Sequence, residues 1–134
     1  MTNQNNIQQI QVLQEEAVQL LKQLIAIPSF SKEEQLTADL IDHYLLTHGV
    51  KTARIKNNIW ATNLHFDAHK KTILLNSHHD TVKPNKGYSL DPFLAIEEEG
   101  KLFGLGSNDA GGCLVSLLAC FVYYYHQQDL PFNI

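Results

Sequence analysis

Apolar residues recur at helical spacing from the start of the chain. Ile10, Leu13, Ala17, Leu20, Leu21, Leu24 and Ile25 alternate with glutamine and glutamate, which predicts an amphipathic helix over 7–26 that Pro28 ends. Ser31-Lys32-Glu33-Glu34 has the form of a capping box, the serine accepting from the Glu34 amide while the carboxylate reaches back. A second helix is expected over 32–48, burying Leu36, Leu40, Ile41, Tyr44 and Leu45, with Gly49 as its stop. The period then shortens. Segments 50–55, 59–64 and 72–76 have strand character, and the first two read as a hairpin across Lys56-Asn57-Asn58.

The run Thr72-Ile73-Leu74-Leu75-Asn76 is apolar throughout, as expected of a strand covered on both faces in a sheet interior. Residues 84–92 form a loop, after which 93–96 and 101–103 are expected to pair across Glu97-Glu98-Glu99-Gly100. A long apolar helix is expected over 110–126, with Tyr123, Tyr124 and Tyr125 as packing residues. Residues 130–134 look like the entry to another strand.

Composition narrows the class. The 134 residues are 44% hydrophobic, enough for one domain with a core, and 18% charged with a net charge of −4. No basic cluster exceeds Lys70-Lys71, which argues against a nucleic-acid partner. No apolar run is long enough to span a bilayer and residues 1–6 lack the regions of a signal peptide, so no membrane partner and a cytoplasmic location are expected. Cys113 and Cys120 are too far apart along a helix for a disulfide and are read as small core thiols.

The candidate chemistry lies at the end of the apolar run. In Ser77-His78-His79-Asp80-Thr81-Val82, His78 and Asp80 return to one face of an extended chain and His79 points elsewhere. Asp80 can hold one ring nitrogen of His78 and leave the other for a metal. An isolated His-x-Asp is as easily a turn, and that reading would be preferred were it alone. Asp109 adds weight, because Gly104, Gly106, Gly111 and Gly112 surround it with backbone suited to close approach, and a carboxylate can bridge two cations.

Competing motifs fit less well. Gly104-x-Gly106-x-x-Asp109 places aspartate where a dinucleotide fingerprint needs its third glycine, and no lysine precedes a Ser/Thr as a phosphate loop requires. Glu97-Glu98-Glu99 reads as a solvated turn.

Taken together, the strand-His78-x-Asp80-Thr81-Val82-x-Pro84 run, Asp91-Pro92-Phe93, and Gly100-Lys101-Leu102-Phe103-Gly104-Leu105-Gly106-Ser107-Asn108-Asp109 before a glycine pair and a helix resemble a known family. It is the family of acetylornithine deacetylase, succinyl-diaminopimelate desuccinylase and carboxypeptidase G, zinc-dependent metallopeptidases and amidohydrolases, and the resemblance covers their amino-terminal part from about residue 20 onward. It implies an α/β fold, the amino-terminal part of a three-layer α/β/α zinc-peptidase catalytic domain with a mixed, mostly parallel central sheet. It implies that His78 ligates one zinc, that Asp80 orients His78 as a catalytic residue, that Asp109 bridges two zinc ions (cobalt being an alternative metal), and that the bond after Asp109 is cis. The sequence departs from the frequent Asp-Met-Lys-Gly form in having Ala110 and Gly111.

The activity so implied is hydrolysis of an amide in a small-molecule N-acyl amino acid or peptide. An acetylornithine deacetylase-like role in arginine biosynthesis is favoured, with a dipeptidase or carboxypeptidase, or a non-catalytic remnant or interaction module, as alternatives. In the family, a Glu-Glu pair containing the general base follows the strand that 130–134 begins, and a lid or dimerisation domain and further ligands come later. Residues 1–134 are therefore expected to be a partial catalytic domain, truncated before the Glu-Glu pair, with weak zinc binding and no activity alone. Self-association through exposed strand edge is expected of it, and a homodimer of the full-length parent.

Overall fold

A computed structural model describes residues 3–134; Met1 and Thr2, part of the amino end read as lacking a signal peptide, lie outside the described residues. Three helices carry most of the order: α1 (Asn3–Ile25), α2 (Gln35–Thr47) and α3 (Gly112–Tyr125). Two short antiparallel hairpins accompany them, β1 (Ala53–Ile55) with β2 (Asn58–Trp60), and β3 (Ile96–Glu98) with β4 (Lys101–Phe103).

The core lies where α1 packs on α3. Leu13, Ala17, Leu20, Leu21, Leu24 and Ile25 of α1 meet Leu114, Val115, Phe121, Val122 and Tyr125 of α3, all buried. Ile10 is 51% exposed, contrary to its place in the predicted stripe. The first buried position on α1 is Leu13, so the opening turns project beyond the partner that would cover them.

On α2, Thr37, Ala38, Ile41, Tyr44 and Leu45 are buried at positions that recur one and two turns apart, whereas Leu36 is exposed. The helix starts at Gln35 rather than at residue 32, and Leu36 falls just off the edge of that stripe. No side chain caps α2, so the capping box is not formed. The Lys32 amide does donate to Glu34 Oε1 at 2.5 Å, but the Ser31 hydroxyl is committed elsewhere.

Two further expectations are corrected. Cys113 and Cys120 are free and exposed, because the buried stripe of α3 runs through Leu114, Val115, Phe121 and Val122 and leaves them, with Ser116, on the opposite side. The second hairpin pairs Ile96 with Phe103 and Glu98 with Lys101, so its strand begins later than 93 and takes in Glu97 and Glu98. Its turn is at Glu99 and Gly100, both with positive φ. Asp91 ends the preceding loop instead, its Oδ1 accepting from the Phe93 amide at 2.9 Å.

Of the expected mostly parallel sheet the described residues form only two isolated parallel bridges, Phe30 with Thr81 and Thr72 with Asn133. Residues 72–76 are not covered on both faces: Leu74 is 82% exposed and Ile73 45%. Extended backbone becomes interior only when neighbours pair with it, and here pairing is confined to one end. There Asn133, fully buried, donates from its amide to the Lys71 carbonyl and accepts from the Ile73 amide, both at 2.8 Å. Its side chain accepts from the Asp67 amide at 2.9 Å and donates to the Asp67 carbonyl at 2.8 Å. Buried Asn63 completes the staple, its amide donating to the Ile134 carbonyl and its Oδ1 accepting from the Ile134 amide, both at 3.0 Å. The expected entry of 130–134 into strand pairing is thus met by its last two residues.

Candidate metal centre

Three segments converge at the end of 72–77. The first is 78–81 itself, the second the turn after α1, and the third the glycine loop before α3. The turn after α1 clamps the histidine segment: the Ser29 carbonyl accepts from the Thr81 amide at 2.7 Å, and the Ser29 hydroxyl donates to the His79 carbonyl at 2.9 Å. The Ser31 hydroxyl donates to Asp80 Oδ2. Sequence reasoning placed Ser31 on a helix cap and gave Ser29 no role. The available signal was two serines on either side of Phe30 just past the proline stop, since hydroxyls in a turn are free to serve a neighbouring segment.

The glycine loop makes the close approach its composition suggests. Gly106 has φ 78°, and a Cβ there would lie 2.7 Å from the Thr81 methyl. At Gly111 a Cβ would lie 2.6 Å from both the Gly106 carbonyl oxygen and Leu21. Any larger residue would push the loop off α1 and off residues 78–81. Between these glycines, residues Ser107–Gly111 form a kinked turn in which Asp109 leaves helical dihedrals, with φ −121° and ψ 98°. The Asp109–Ala110 peptide is cis, as the resemblance implies.

This brings His78, Asp80 and Asp109 together. His78 Nδ1 lies 3.0 Å from Asp80 Oδ1 and 3.2 Å from the Asp80 carbonyl oxygen, both acceptors, so Nδ1 carries the proton. Nε2 then faces Asp109 Oδ1 at 3.2 Å. In neutral histidine that is a lone pair against a carboxylate, an arrangement that is favourable only with a proton or a cation between them. Burial works against charge on His78, but the Asp80 carbonyl, the Asp109 carboxylate and the Asp80 carboxylate together outweigh it and raise its pKa. The Ser31 hydroxyl lowers the pKa of Asp80, opposed by burial and reinforced by His78.

His79 is directed away, as expected. Its Nε2 donates to the Asn57 carbonyl at 3.0 Å, and its Nδ1 lies 2.8 Å from the Thr37 hydroxyl. That ring ties the site to α2 and to the first hairpin.

The donor set fits a metal in part. Zinc takes imidazole nitrogen and carboxylate oxygen at about 2.0–2.2 Å, so two ligands of one tetrahedral ion stand roughly 3.4 Å apart; Nε2 and Oδ1 are 3.2 Å apart. The Asp109 side chain is 89% exposed, leaving its second oxygen free for another ion. No group of three or more His, Cys, Asp or Glu side chains suited to a metal occurs among the described residues. No described helix is long and apolar enough to cross a membrane.

Comparison with known proteins bears on the fold and the family. The fold matches part of two solved dipeptidases: human carnosine dipeptidase 1 superposes with a TM-score of 0.71 over 98% of this chain and 33% of its own, at 24% identity. The di-peptidase Dug1p of Saccharomyces cerevisiae gives 0.68 over 96% and 32%. In sequence, succinyl-diaminopimelate desuccinylase from Buchnera aphidicola is 33% identical over 106 residues, covering 75% of this chain and 27% of its own length. Acetylornithine deacetylase from Proteus mirabilis is 36% identical over 110 residues, covering 71% and 28%. No family model matches the chain.

The chain is thus an α/β protein. It is a homologue of the amino-terminal part of the succinyl-diaminopimelate desuccinylase and acetylornithine deacetylase family, and it spans little more than a quarter of the length of those relatives.

Proposed function

We propose that His78 and Asp109 are the first two ligands of a two-zinc centre for amide hydrolysis. His78 would hold one ion through Nε2, Asp109 would offer a carboxylate oxygen to each ion, and Asp80 fixes the tautomer and ring orientation of His78. The observation that carries this reading is the 3.2 Å approach of the free His78 nitrogen to the Asp109 carboxylate. A bound zinc pair, or cobalt in its place, supplies Lewis acidity that polarises the amide carbonyl and lowers the pKa of a water.

The chain's own residues supply the rest of this half of the site. Asp80 keeps the proton on Nδ1, and Ser31 keeps the Asp80 carboxylate ionised and aimed. The glycine loop carries Asp109 into reach of His78, and Ser29 holds the segment in register. The general base and the remaining ligands would come from polypeptide outside these 134 residues, which would make the chain a partial catalytic domain. On that reading the chain binds zinc weakly and has no turnover alone.

The names of the sequence relatives favour removal of an acyl group from an N-acyl amino acid, acetylornithine-like substrates first. The fold of the two dipeptidases supports cleavage of a dipeptide as the second reading.

Zinc titration of the purified chain tests the centre. His78→Ala and Asp109→Ala should each weaken binding at least about tenfold, while Cys120→Ser, an exposed thiol two turns farther along α3 than Cys113, should leave it unchanged. Binding indifferent to His78→Ala would sink the proposal. Substrate class is tested in a chimera joining these residues to the remainder of the Proteus mirabilis deacetylase. N-acetylornithine should be hydrolysed and dipeptides should not; the reverse preference would favour the second reading.

A further inference from the structure

Four residues from three separate segments close a circuit of hydrogen bonds beside His78. The Thr37 hydroxyl, on a residue only 1% exposed, donates to the Glu34 carbonyl at 3.0 Å and lies 2.8 Å from His79 Nδ1. His79 Nε2 donates to the Asn57 carbonyl at 3.0 Å. The Asn57 side-chain amide donates in turn to Glu34 Oε2 at 2.7 Å, which returns the circuit to its start. It joins the amino end of α2, the turn of the first hairpin and residue 79.

The residue types suit the task. Burial disfavours charge on Glu34, but the Lys32 amide and the Asn57 side chain outweigh it and lower the pKa, so the acceptor that closes the circuit is an anion. Histidine at position 79 presents two nitrogens at separate corners of a rigid ring, each to a different partner, where a serine or threonine would reach only one of them.

Residue 79 is also held from the other direction, its carbonyl accepting from the Ser29 hydroxyl at 2.9 Å. Successive side chains of an extended segment point to opposite sides, so a residue fixed at both backbone and ring sets the direction of its two neighbours. Those neighbours are His78 and Asp80.

We infer that His79 is a positioning residue for His78: through Thr37, Glu34 and Asn57 it holds residues 78–80 so that His78 keeps Nδ1 against Asp80 and Nε2 towards Asp109. Its bearing on a metal rests on the reading of His78 and Asp109 as ligands. The circuit adds to that reading a link from the centre to α2 and the first hairpin, whose own residues hold no proposed ligand.

Two readouts on the purified chain keep the circuit and the metal apart. Without metal at alkaline pH, where the imidazole is neutral, long-range 1H–15N spectra report which nitrogen of His78 carries the proton. Thr37→Val keeps the shape of the buried side chain and removes its hydroxyl, and Thr37→Ser restores the hydroxyl. The Nδ1–H form of His78 should give way to a mixture of tautomers in Thr37→Val and His79→Ala, and return in Thr37→Ser. His79→Gln, which keeps a donor for Asn57, should fall between His79→Ala and the wild type. With zinc, affinity should drop about three- to tenfold in Thr37→Val and His79→Ala, less than for a partner that touches a ligating histidine directly, and recover in Thr37→Ser. An unchanged His78 tautomer in both Thr37→Val and His79→Ala would overturn the inference, as would a change that Thr37→Ser fails to repair. Zinc binding indifferent to His78→Ala, with the tautomer still shifting in Thr37→Val, would remove the metal reading and support the circuit as what holds His78 on Asp80.

Discussion

The two sides of the His78 segment are built to different degrees. On one side α1, α3 and the glycine loop interlock: Leu20 and Ile25 are each 3% exposed, Tyr125 is 1% exposed, and neither Gly106 nor Gly111 has room for a Cβ. On the other side the apolar run 72–76 and the end of the first hairpin face a groove, with Leu74 82% exposed. The difference teaches where the rigidity of the candidate centre comes from. Asp109 is carried by the interlocked side, and His78 hangs at the end of the open one. The serine turn after α1 joins the two, since its hydrogen bonds reach across from the packed helix to residues 79–81.

Core truncation should separate the sides most sharply. Leu20→Ala removes a buried side chain at the α1–α3 contact and should cost about 2–5 kcal/mol in denaturant unfolding. Leu74→Ala should stay within about 0.5 kcal/mol, since the side chain is already in solvent. Comparable losses would show that residues 72–76 are packed in solution and would erase the contrast. Next in size is Gly111→Ala, where the added Cβ meets a backbone carbonyl and Leu21 at 2.6 Å. Overpacking of this kind costs about 1–3 kcal/mol. Because the strain displaces the loop carrying Asp109, zinc affinity should fall with stability, and a fall in stability alone would detach the loop from the centre.

The same contrast explains what the sequence disclosed. Helical stripes were legible because burial on α1 and α3 follows the period of the chain itself, and the family resemblance rested on motifs that are contiguous. His78, Asp80 and Asp109 could be singled out for that reason, the loop glycines included. What was not legible depended on contacts across the chain. Ser31 satisfies a local capping pattern equally well, and only the position of Asp80, forty-nine residues on, decides against it. Leu74 has the composition of an interior residue, but interior status is conferred by neighbours that a strand's own sequence does not contain. Cys113 and Cys120 were assigned to the core by residue type, and the phase of α3 turned them outward.

Smaller effects probe the join between the sides. Asp80→Asn keeps the shape of the side chain but removes the charge that holds His78 in its tautomer. Zinc affinity should fall about 10–100-fold, the range for loss of a carboxylate behind a ligating histidine, while unfolding free energy changes far less. Equal loss in both quantities would mean that Asp80 acts on the fold rather than on the ring.

Ser31→Ala should have the smallest effect and the most specific one. The hydroxyl donates to the Asp80 oxygen that does not face His78, so its removal leaves the His78–Asp80 contact in place and weakens only the aim and ionisation of the carboxylate. A hydrogen bond to a charged group contributes about 1.5–3 kcal/mol when lost outright, but water can replace this one at a half-exposed site, so the loss in zinc affinity should be only a few-fold. The capping alternative makes a different forecast, because a lost N-cap would lower stability by about 0.5–2 kcal/mol and leave zinc binding alone. Measuring both quantities on the one variant therefore shows whether Ser31 serves α2 or the metal centre.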